Sequence, residues 1–183
     1  DKWFFKIIAS DTIAYSNSWK KVLKKLGFKS PLELEQIDEE YSTYISYLIN
    51  QFIKNNNISD LDAICSHGHT ALHQPEEGLT YQIGNQQLLS TQTNHMVICD
   101  FRIQDVQLGG QGAPLVPIGD ELLFSQYDFC INLGGFANIS RSIKGDRIAF
   151  DICPVNCVFN YYVSSLGFHY DQDGQTAASG KLN

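Results

Sequence analysis

Residues 100–117 read DFRIQDVQLGGQGAPLVP, and this stretch joins an acid to a cluster of glycines. Asp105 stands just ahead of Gly109, Gly110 and Gly112. A carboxylate in such a position is suited to take a proton from a bound substrate, and glycines let backbone amides approach closely. The alternative is a glycine-rich turn whose acid only caps backbone amides. The stretch predicts that Asp105 is a general base in an active site. An Asp105→Asn substitution separates this interpretation from the structural one.

Around this stretch, from residue 61 onward, short apolar runs alternate with polar loops that contain glycine. The runs predict strands, and residues 86–93 and 154–166 predict helices between them. Residues 144–146, Lys-Gly-Asp, are typical of a hairpin turn, so at least one strand pair is expected to be antiparallel. The sequence predicts an α/β fold with a mixed sheet flanked by helices. The predicted strands are residues 62–66, 80–83, 96–100, 129–133, 137–142 and 147–151.

The region before residue 61 is predicted to be mainly helical. Residues 3–9 read as a strand, and a helix is expected from about Ser18 to the stop at Gly27. Ser30 and Glu33 form the sequence pattern of a capping box that opens a second helix. Its apolar residues keep helical spacing until the three asparagines at 55–57.

Charge and composition exclude several classes of function. Thirteen Lys and Arg against 20 Asp and Glu give a net charge of -7, which leaves no broad basic face for a nucleic acid. No apolar run approaches the roughly 18 residues that a membrane helix needs. The five cysteines are odd in number, and the first three lie in apolar runs, as buried thiols do in reducing compartments. We therefore predict a cytoplasmic protein with no nucleic-acid or membrane partner.

Residues 66–75 read SHGHTALHQP where a predicted strand runs out into a loop, a position that favours binding sites in α/β sheets. His67, His69 and His73 raise the question of a zinc site. Their spacing matches no standard zinc pattern, and no carboxylate or Cys lies close enough to complete one. Hydrogen bonding by His67 and Thr70, to a polar ligand or to the loop itself, is the preferred interpretation, and no metal site is predicted here.

Residues 131–140, INLGGFANIS, place two glycines between two predicted strands. Gly134 and Gly135 could turn their amides toward an anion, as phosphate-binding loops do, or could form an ordinary hairpin. Asp151 is expected at a strand end, ahead of Pro154 in the first turn of a helix. Asp151 could hold a metal-bound water or cap that helix, and both interpretations stay open.

Seven motifs, in this order, make the chain resemble the anhydro-N-acetylmuramic acid kinases, members of the actin-like, sugar-kinase and heat-shock ATPase superfamily. The resemblance runs from about residue 61 to residue 180. The motifs are SHGxTxxHxP at 66–75, YQIG at 81–84, DFR at 100–102, DV at 105–106, GGQGAPL at 109–115, NLGGxANI at 132–139 and YDxxG at 170–174.

This resemblance implies a fold and an activity. Residues 1–170 are expected to form the first lobe of an actin-like (ribonuclease H-like) ATPase fold, without its N-terminal phosphate loop. Residues 171–183 are expected to begin the connection into a second lobe. The family opens 1,6-anhydro-N-acetylmuramic acid with water and phosphorylates the freed 6-hydroxyl from ATP, which returns peptidoglycan sugar to metabolism. ATP, Mg²⁺ and an amino sugar are the implied cofactors and partners, and a homodimer is possible.

The resemblance also implies residue roles. Asp105 matches the family's catalytic base. The implied substrate-binding residues are His67, Thr70, Gly110 and Gln111, and the implied nucleotide-binding residues are Gly134, Gly135, Asn138 and Asp151.

The chain departs from the family pattern in two places. The family's FDTGPGN segment reads FDICPVN here, so Ile152, Cys153 and Val155 replace the Thr and both glycines. His69 stands where the family usually has Gln. The first departure keeps open a second hypothesis, a catalytically inactive or truncated member that binds an amino sugar or a partner without phosphoryl transfer. Another anhydro sugar as substrate also stays open.

Overall fold

A computed structural model describes residues 3–181, which divide into two compact units. The N-terminal unit comprises residues 6–114. The C-terminal unit comprises residues 115–181 together with residues 3–5. No helix in the described part of the chain is long and apolar enough to cross a membrane.

Two helices open the N-terminal unit, α1 (Asn17–Leu23) and α2 (Pro31–Asn55). The hydroxyl of Ser30 accepts a hydrogen bond from the amide of Glu33, and the Glu33 carboxylate accepts one from the amide of Ser30. The predicted capping box is therefore confirmed, as is the helix that follows it. The hydrogen bonds from Lys29 and Ser30 lower the pKa of Glu33 to about 2. Helix α2 ends at the predicted asparagine run.

The remaining N-terminal unit contains four short strands and two helices. Strands β1 (Ile64–Cys65) and β4 (Val97–Ile98) pair in parallel. Strands β2 (His69–Gln74) and β3 (Leu79–Ile83) pair antiparallel, with an irregularity between Thr70 and Leu72. Helices α3 (Gln87–Thr93) and α4 (Phe101–Gln107) follow β3 and β4. The core packs β3 against α2 and the turn before it through the buried residues Leu26, Leu34, Tyr41 and Ile83.

The C-terminal unit is built on one antiparallel sheet. Helix α5 (Leu115–Leu123) precedes strands β5 (Cys130–Leu133), β6 (Phe136–Ile143) and β7 (Asp146–Pro154), which pair in the order β5-β6-β7. Lys144 and Gly145 turn between β6 and β7 with positive φ, which confirms the predicted hairpin. Helices α6 (Asn156–Ser164) and α7 (Gln175–Ser179) follow.

The α/β prediction is confirmed, but the prediction of one mixed sheet is wrong for the described residues. They form three small sheets, with the parallel pair in one and the antiparallel pairs in the other two. The predicted strand at residues 3–9 is also wrong, because an extended segment becomes a strand only when another strand pairs with it. Ile8 in this segment is 89% exposed. Strand β2 and helices α4 and α5 were not predicted.

Candidate active site

Helix α4 carries Asp105 in its last turn, directly before the glycine-rich loop. The helix begins after Asp100, which has a left-handed φ of 60°, and the chain leaves it through Gly109, with a φ of 91°. Residues three apart on a helix share a face, so Arg102 and Asp105 lie one turn apart on the same side of α4. The helix therefore presents a carboxylate, Asp105, and a guanidinium, Arg102, to the loop that follows.

The carboxylate of Asp105 uses its two oxygens differently. Oδ2 accepts a hydrogen bond of 2.7 Å from the amide of Gly112. Oδ1 accepts none from residues 3–181, and it is not among the buried polar atoms that lack a partner. Since Asp105 is half-buried, Oδ1 remains accessible to solvent. One oxygen thus binds the loop backbone, and the other is accessible to solvent.

Two positions in this loop favour glycine. A β-carbon at Gly110 would lie within 2.6 Å of Asp105 Oδ1, directly on the carboxylate. Gly112 has a φ of +71°, and a β-carbon there would lie 3.0 Å from Val106 Cγ2 and 3.2 Å from His73 Cε1. A side chain at Gly110 would displace the Asp105 carboxylate, and one at Gly112 would be strained by the positive φ and would crowd Val106 and His73.

Arg102 holds the other side of Gly112. Its Nε donates to the Gly112 carbonyl at 2.5 Å, and its Nη1 donates to the Thr70 hydroxyl at 2.8 Å. Asp105 therefore accepts a hydrogen bond from the amide of Gly112, and Arg102 donates one to its carbonyl. Thr70 belongs to β2, so the same guanidinium ties strand β2 to helix α4. Burial lowers the pKa of Arg102 from its ordinary value.

The three histidines of residues 66–75 make different contacts. His67 Nδ1 donates to the Gly68 carbonyl at 2.9 Å, because a carbonyl only accepts, and this leaves Nε2 without a proton in the neutral ring. His69 packs edge-on against Tyr15 and Tyr41, and burial, followed by the neighbouring His67, lowers its pKa. His73 Nδ1 lies 3.2 Å from the Thr80 hydroxyl. No group of three or more His, Cys, Asp or Glu residues is placed to hold a metal in the described part of the chain.

The structure brings together Thr70, Asp105 and Gly110 around Arg102 and Gly112. The His67 ring packs against the ring of Phe101 on helix α4, with 6.0 Å between ring centroids. Gln111 is exposed, and its side chain makes no hydrogen bond to residues 3–181.

A buried carboxylate that sequence reasoning missed joins helix α2 to strand β3, whose partner strand β2 carries Thr70. Asp38 is 3% exposed and accepts hydrogen bonds from the Tyr81 hydroxyl at 2.6 Å and from the Gly84 amide at 2.7 Å. Burial, and then this hydrogen bond, raise the pKa of Tyr81. Asp38 thereby fastens helix α2 to the end of β3. Its place on the apolar face of α2, three residues before Tyr41, was the available signal.

The Gly134–Gly135 turn, in the C-terminal unit, joins β5 to β6. The Gly134 amide donates to the Phe136 carbonyl at 3.1 Å, and the carbonyls of both glycines accept amides from residues 155–157, at the start of helix α6. The Gly135 amide has no hydrogen-bond acceptor within residues 3–181. A β-carbon on Gly135 would meet nothing within 4 Å. The turn is open, with one free donor.

A row of polar residues crosses the sheet beside this turn. Asn132 pairs with Asn138, and Asn138 pairs with Asp151, so the three side chains share one face. Asn132 was not recognised from the sequence, because its place depends on strand register. Carboxylate and amide oxygens are ligands that Mg²⁺ accepts, usually beside several waters.

The expected position of Asp151 needs correction. It lies inside β7 rather than at a strand end, because Cys153 and Pro154 continue to pair with Ala137 and Phe136 on β6. Helix α6 consequently begins at Asn156, after Pro154 rather than around it.

Comparisons with known proteins agree on one family. A family model described as anhydro-N-acetylmuramic acid kinase matches residues 5–183. Three curated relatives carry that name. The one from Pseudomonas fluorescens is 45% identical over 180 residues, which cover 96% of this chain and 44% of the relative. The one from a Shewanella species is 36% identical over 192 residues, 97% of this chain and 52% of the relative.

The third relative, from Pseudomonas syringae pv. tomato, is 38% identical over 154 residues, 80% of this chain and 42% of the relative. The chain thus spans about half the length of the curated relatives that it matches.

Proposed function

The chain belongs to the anhydro-N-acetylmuramic acid kinase family, and we propose that the whole protein is an ATP-dependent kinase that opens 1,6-anhydro-N-acetylmuramic acid with water. The product is N-acetylmuramic acid 6-phosphate, which returns peptidoglycan sugar to metabolism. The observation that carries this proposal is the carboxylate of Asp105, held by the Gly112 amide through one oxygen and open at the other.

In the proposed reaction, Asp105 Oδ1 takes a proton from a water molecule while that water attacks the anomeric carbon C1. The bond between C1 and the bridging oxygen breaks, and the oxygen stays on C6. This oxygen then attacks the γ-phosphorus of ATP, and ADP leaves with its own oxygen. A general base contributes about 10²- to 10⁴-fold in rate, and positioning supplies much of the rest.

The sugar side of the site is assigned to polar groups around Asp105. The Thr70 hydroxyl accepts from Arg102 and keeps its own proton for a sugar oxygen. His67 Nε2 offers an acceptor when the ring is neutral. Gly110 lets the loop backbone lie against the carboxylate, and exposed Gln111 has an unengaged amide. These groups suit the hydroxyls and amide of an amino sugar.

ATP is assigned to the open turn of the C-terminal unit. The free amide of Gly135 suits a phosphate oxygen, and Gly134 leaves the turn without side chains. Asn138 and Asp151 would hold Mg²⁺, since one carboxylate and an amide oxygen fit an ion that keeps waters and phosphate oxygens as its other ligands. When bound, Mg²⁺ neutralises charge on the phosphates.

The fold of the whole protein is proposed from family membership. We assign residues 1–170 to the first lobe of an actin-like ATPase fold and residues 171–183 to the connection into a second lobe. The match over about half of each relative's length supports this assignment. The homodimer and the cytoplasmic location stay predictions.

One observation favours the second hypothesis, a member that binds an amino sugar or a partner without phosphoryl transfer. The backbone at Cys153 and Pro154 is paired with β6, where the family pattern has a glycine-rich segment. A paired strand offers fewer free amides to a nucleotide than an open loop does.

An assay of ADP release by the whole protein separates the two hypotheses. With 1,6-anhydro-N-acetylmuramic acid and Mg²⁺ present, we expect ADP and the sugar 6-phosphate to form in equal amounts. The same assay with 1,6-anhydroglucose measures sugar selectivity. No release above background, from protein whose folding has been verified, would leave only the binding function.

A further inference from the structure

Arg102 carries a positive charge that forms no ion pair with an acid in the described part of the chain. Its two hydrogen bonds go to neutral acceptors, the Gly112 carbonyl and the Thr70 hydroxyl. Within residues 3–181, no carboxylate oxygen lies within 4.0 Å of its guanidinium. The side chain is half-buried, and burial lowers its pKa. A partly desolvated cation without a counter-charge is unfavourable unless an anion binds it.

The C-terminal unit provides a contrast in Arg147. Its guanidinium lies 3.8 Å from Asp120 Oδ2 and 3.4 Å from Glu121 Oε2, so its charge is paired inside the protein. Arg147 Nε is buried without a partner, whereas no atom of Arg102 is sealed in this way. Arg147 therefore serves the fold, and Arg102 retains binding capacity.

One donor of Arg102 is free and accessible to solvent. Nη2 donates to no acceptor among the described residues, and it remains accessible. Arg102 and Asp105 lie one turn apart on α4 and hold the same residue, Gly112. A ligand whose reacting carbon lies at Asp105 would thus have Arg102 within reach of its substituents.

We propose that Arg102 binds the carboxylate of an acidic anhydro sugar and sets the preference for that sugar over a neutral one. A planar guanidinium matches a carboxylate in geometry as well as in charge. This inference rests on the proposed function, which supplies an acid sugar as substrate. It assigns Arg102 two tasks, positioning the Asp105 loop and recognising the acid.

The test compares two sugars that differ in the lactyl carboxylate, 1,6-anhydro-N-acetylmuramic acid and 1,6-anhydro-N-acetylglucosamine. Calorimetry of the whole protein without ATP measures the Kd of each. In Arg102→Gln, we expect the affinity for the acid sugar to fall about 10- to 100-fold, as for loss of a charged hydrogen bond, and the neutral sugar to lose less than about threefold. Arg141→Gln is the matched control, because Arg141 is exposed and contacts the Phe129 ring in the C-terminal unit.

Equal losses for both sugars would overturn the proposal, since Arg102 would then only position the loop. Unchanged affinity of Arg102→Gln for the acid sugar would overturn it as well. If Arg102→Gln does not fold, Arg102→Lys decides, because it keeps the charge and loses the planar fork. The preference for the acid sugar should then shrink about tenfold, and an unchanged preference contradicts the proposal.

The binding readout does not depend on catalysis. A protein that binds the acid sugar through Arg102 and releases no ADP would keep this inference and refute the kinase proposal. A protein that releases ADP equally well with both sugars would support the kinase proposal and refute this inference.

Discussion

The two glycine-rich segments of this chain use glycine for opposite reasons. Around Asp105, Gly110 and Gly112 are needed because the loop lies directly on the carboxylate and its neighbours. At the turn before β6, Gly135 meets nothing within 4 Å, and its amide has no acceptor among the described residues. The first segment is organised by the chain's own contacts, and the second offers an open group to a ligand. Substitutions should therefore affect the two segments very differently.

The largest expected effect is that of Asp105→Asn. An amide oxygen still accepts from the Gly112 amide, but the side chain no longer takes a proton from water. We expect kcat/KM of the whole protein to fall about 10²- to 10⁴-fold while its melting temperature stays nearly constant. Asp128→Asn, at an exposed acid of the C-terminal unit, is the control. Activity within threefold of wild type would reduce Asp105 to a structural cap.

The next effect compares glycine positions directly. Gly110→Ala forces the Asp105 carboxylate to move, and a misplacement of about 1 Å costs on the order of 100-fold in activity. Gly135→Ala has room for the methyl group and a φ that is not positive, so its free energy of unfolding should change by less than about 0.5 kcal/mol. Steady-state kinetics measure the activity of Gly110→Ala, and urea unfolding measures the stability of Gly135→Ala. Activity of Gly110→Ala close to that of wild type, or a clear loss of unfolding free energy in Gly135→Ala, would contradict the contrast.

The buried contact between helix α2 and strand β3 gives a third expectation. Tyr81→Phe removes a hydrogen bond to the buried carboxylate of Asp38, and we expect the free energy of unfolding to fall by about 1.5–3 kcal/mol. Tyr127→Phe is the matched change at a tyrosine that is 60% exposed, in the other unit. Urea unfolding of both variants tests whether the N-terminal unit depends on this buried contact. A loss no larger than that of the control would argue against it.

The smallest expected effect depends on pH. Burial lowers the pKa of His69, so the folded protein binds fewer protons than the unfolded chain near the ordinary histidine value. The free energy of unfolding should therefore fall as pH drops from about 7.5 to 5.5, where histidines titrate. His69→Gln should flatten this dependence, and His169→Gln, at an exposed histidine, should not. A steeper dependence in His69→Gln would show that the sign is wrong.

Local signals in the sequence predicted local structure well. The capping box at Ser30 and the hairpin at Lys144 involve residues a few positions apart, and both are confirmed. The failed predictions involve distant partners. Residues 3–9 have the composition of a strand without a strand beside them, and Asp151 lies inside β7 because Cys153 pairs with Ala137. Pairing between strands is a property of the whole fold, which a local pattern does not contain.

The candidate site shows the same division between local signals, which the sequence contains, and contacts between distant residues, which it does not. The acid at Asp105 and the glycines after it were readable as a motif, and so was Thr70. The clamp that Arg102 places on Gly112 depends on the path of the loop, and the role of Asp38 depends on burial. The row formed by Asn132 and Asn138 depends on register. None of these can be read from spacing alone.

The most direct test of the account follows the oxygen of water through one turnover in ¹⁸O-labelled water. If Asp105 activates water for attack at C1, the sugar phosphate carries one ¹⁸O on C1, and its phosphate-ester oxygen on C6 is unlabelled. Product incubated alone in labelled water corrects for exchange at C1. Product without ¹⁸O on C1 would show that water does not open the ring there, and the assignment of Asp105 would fail.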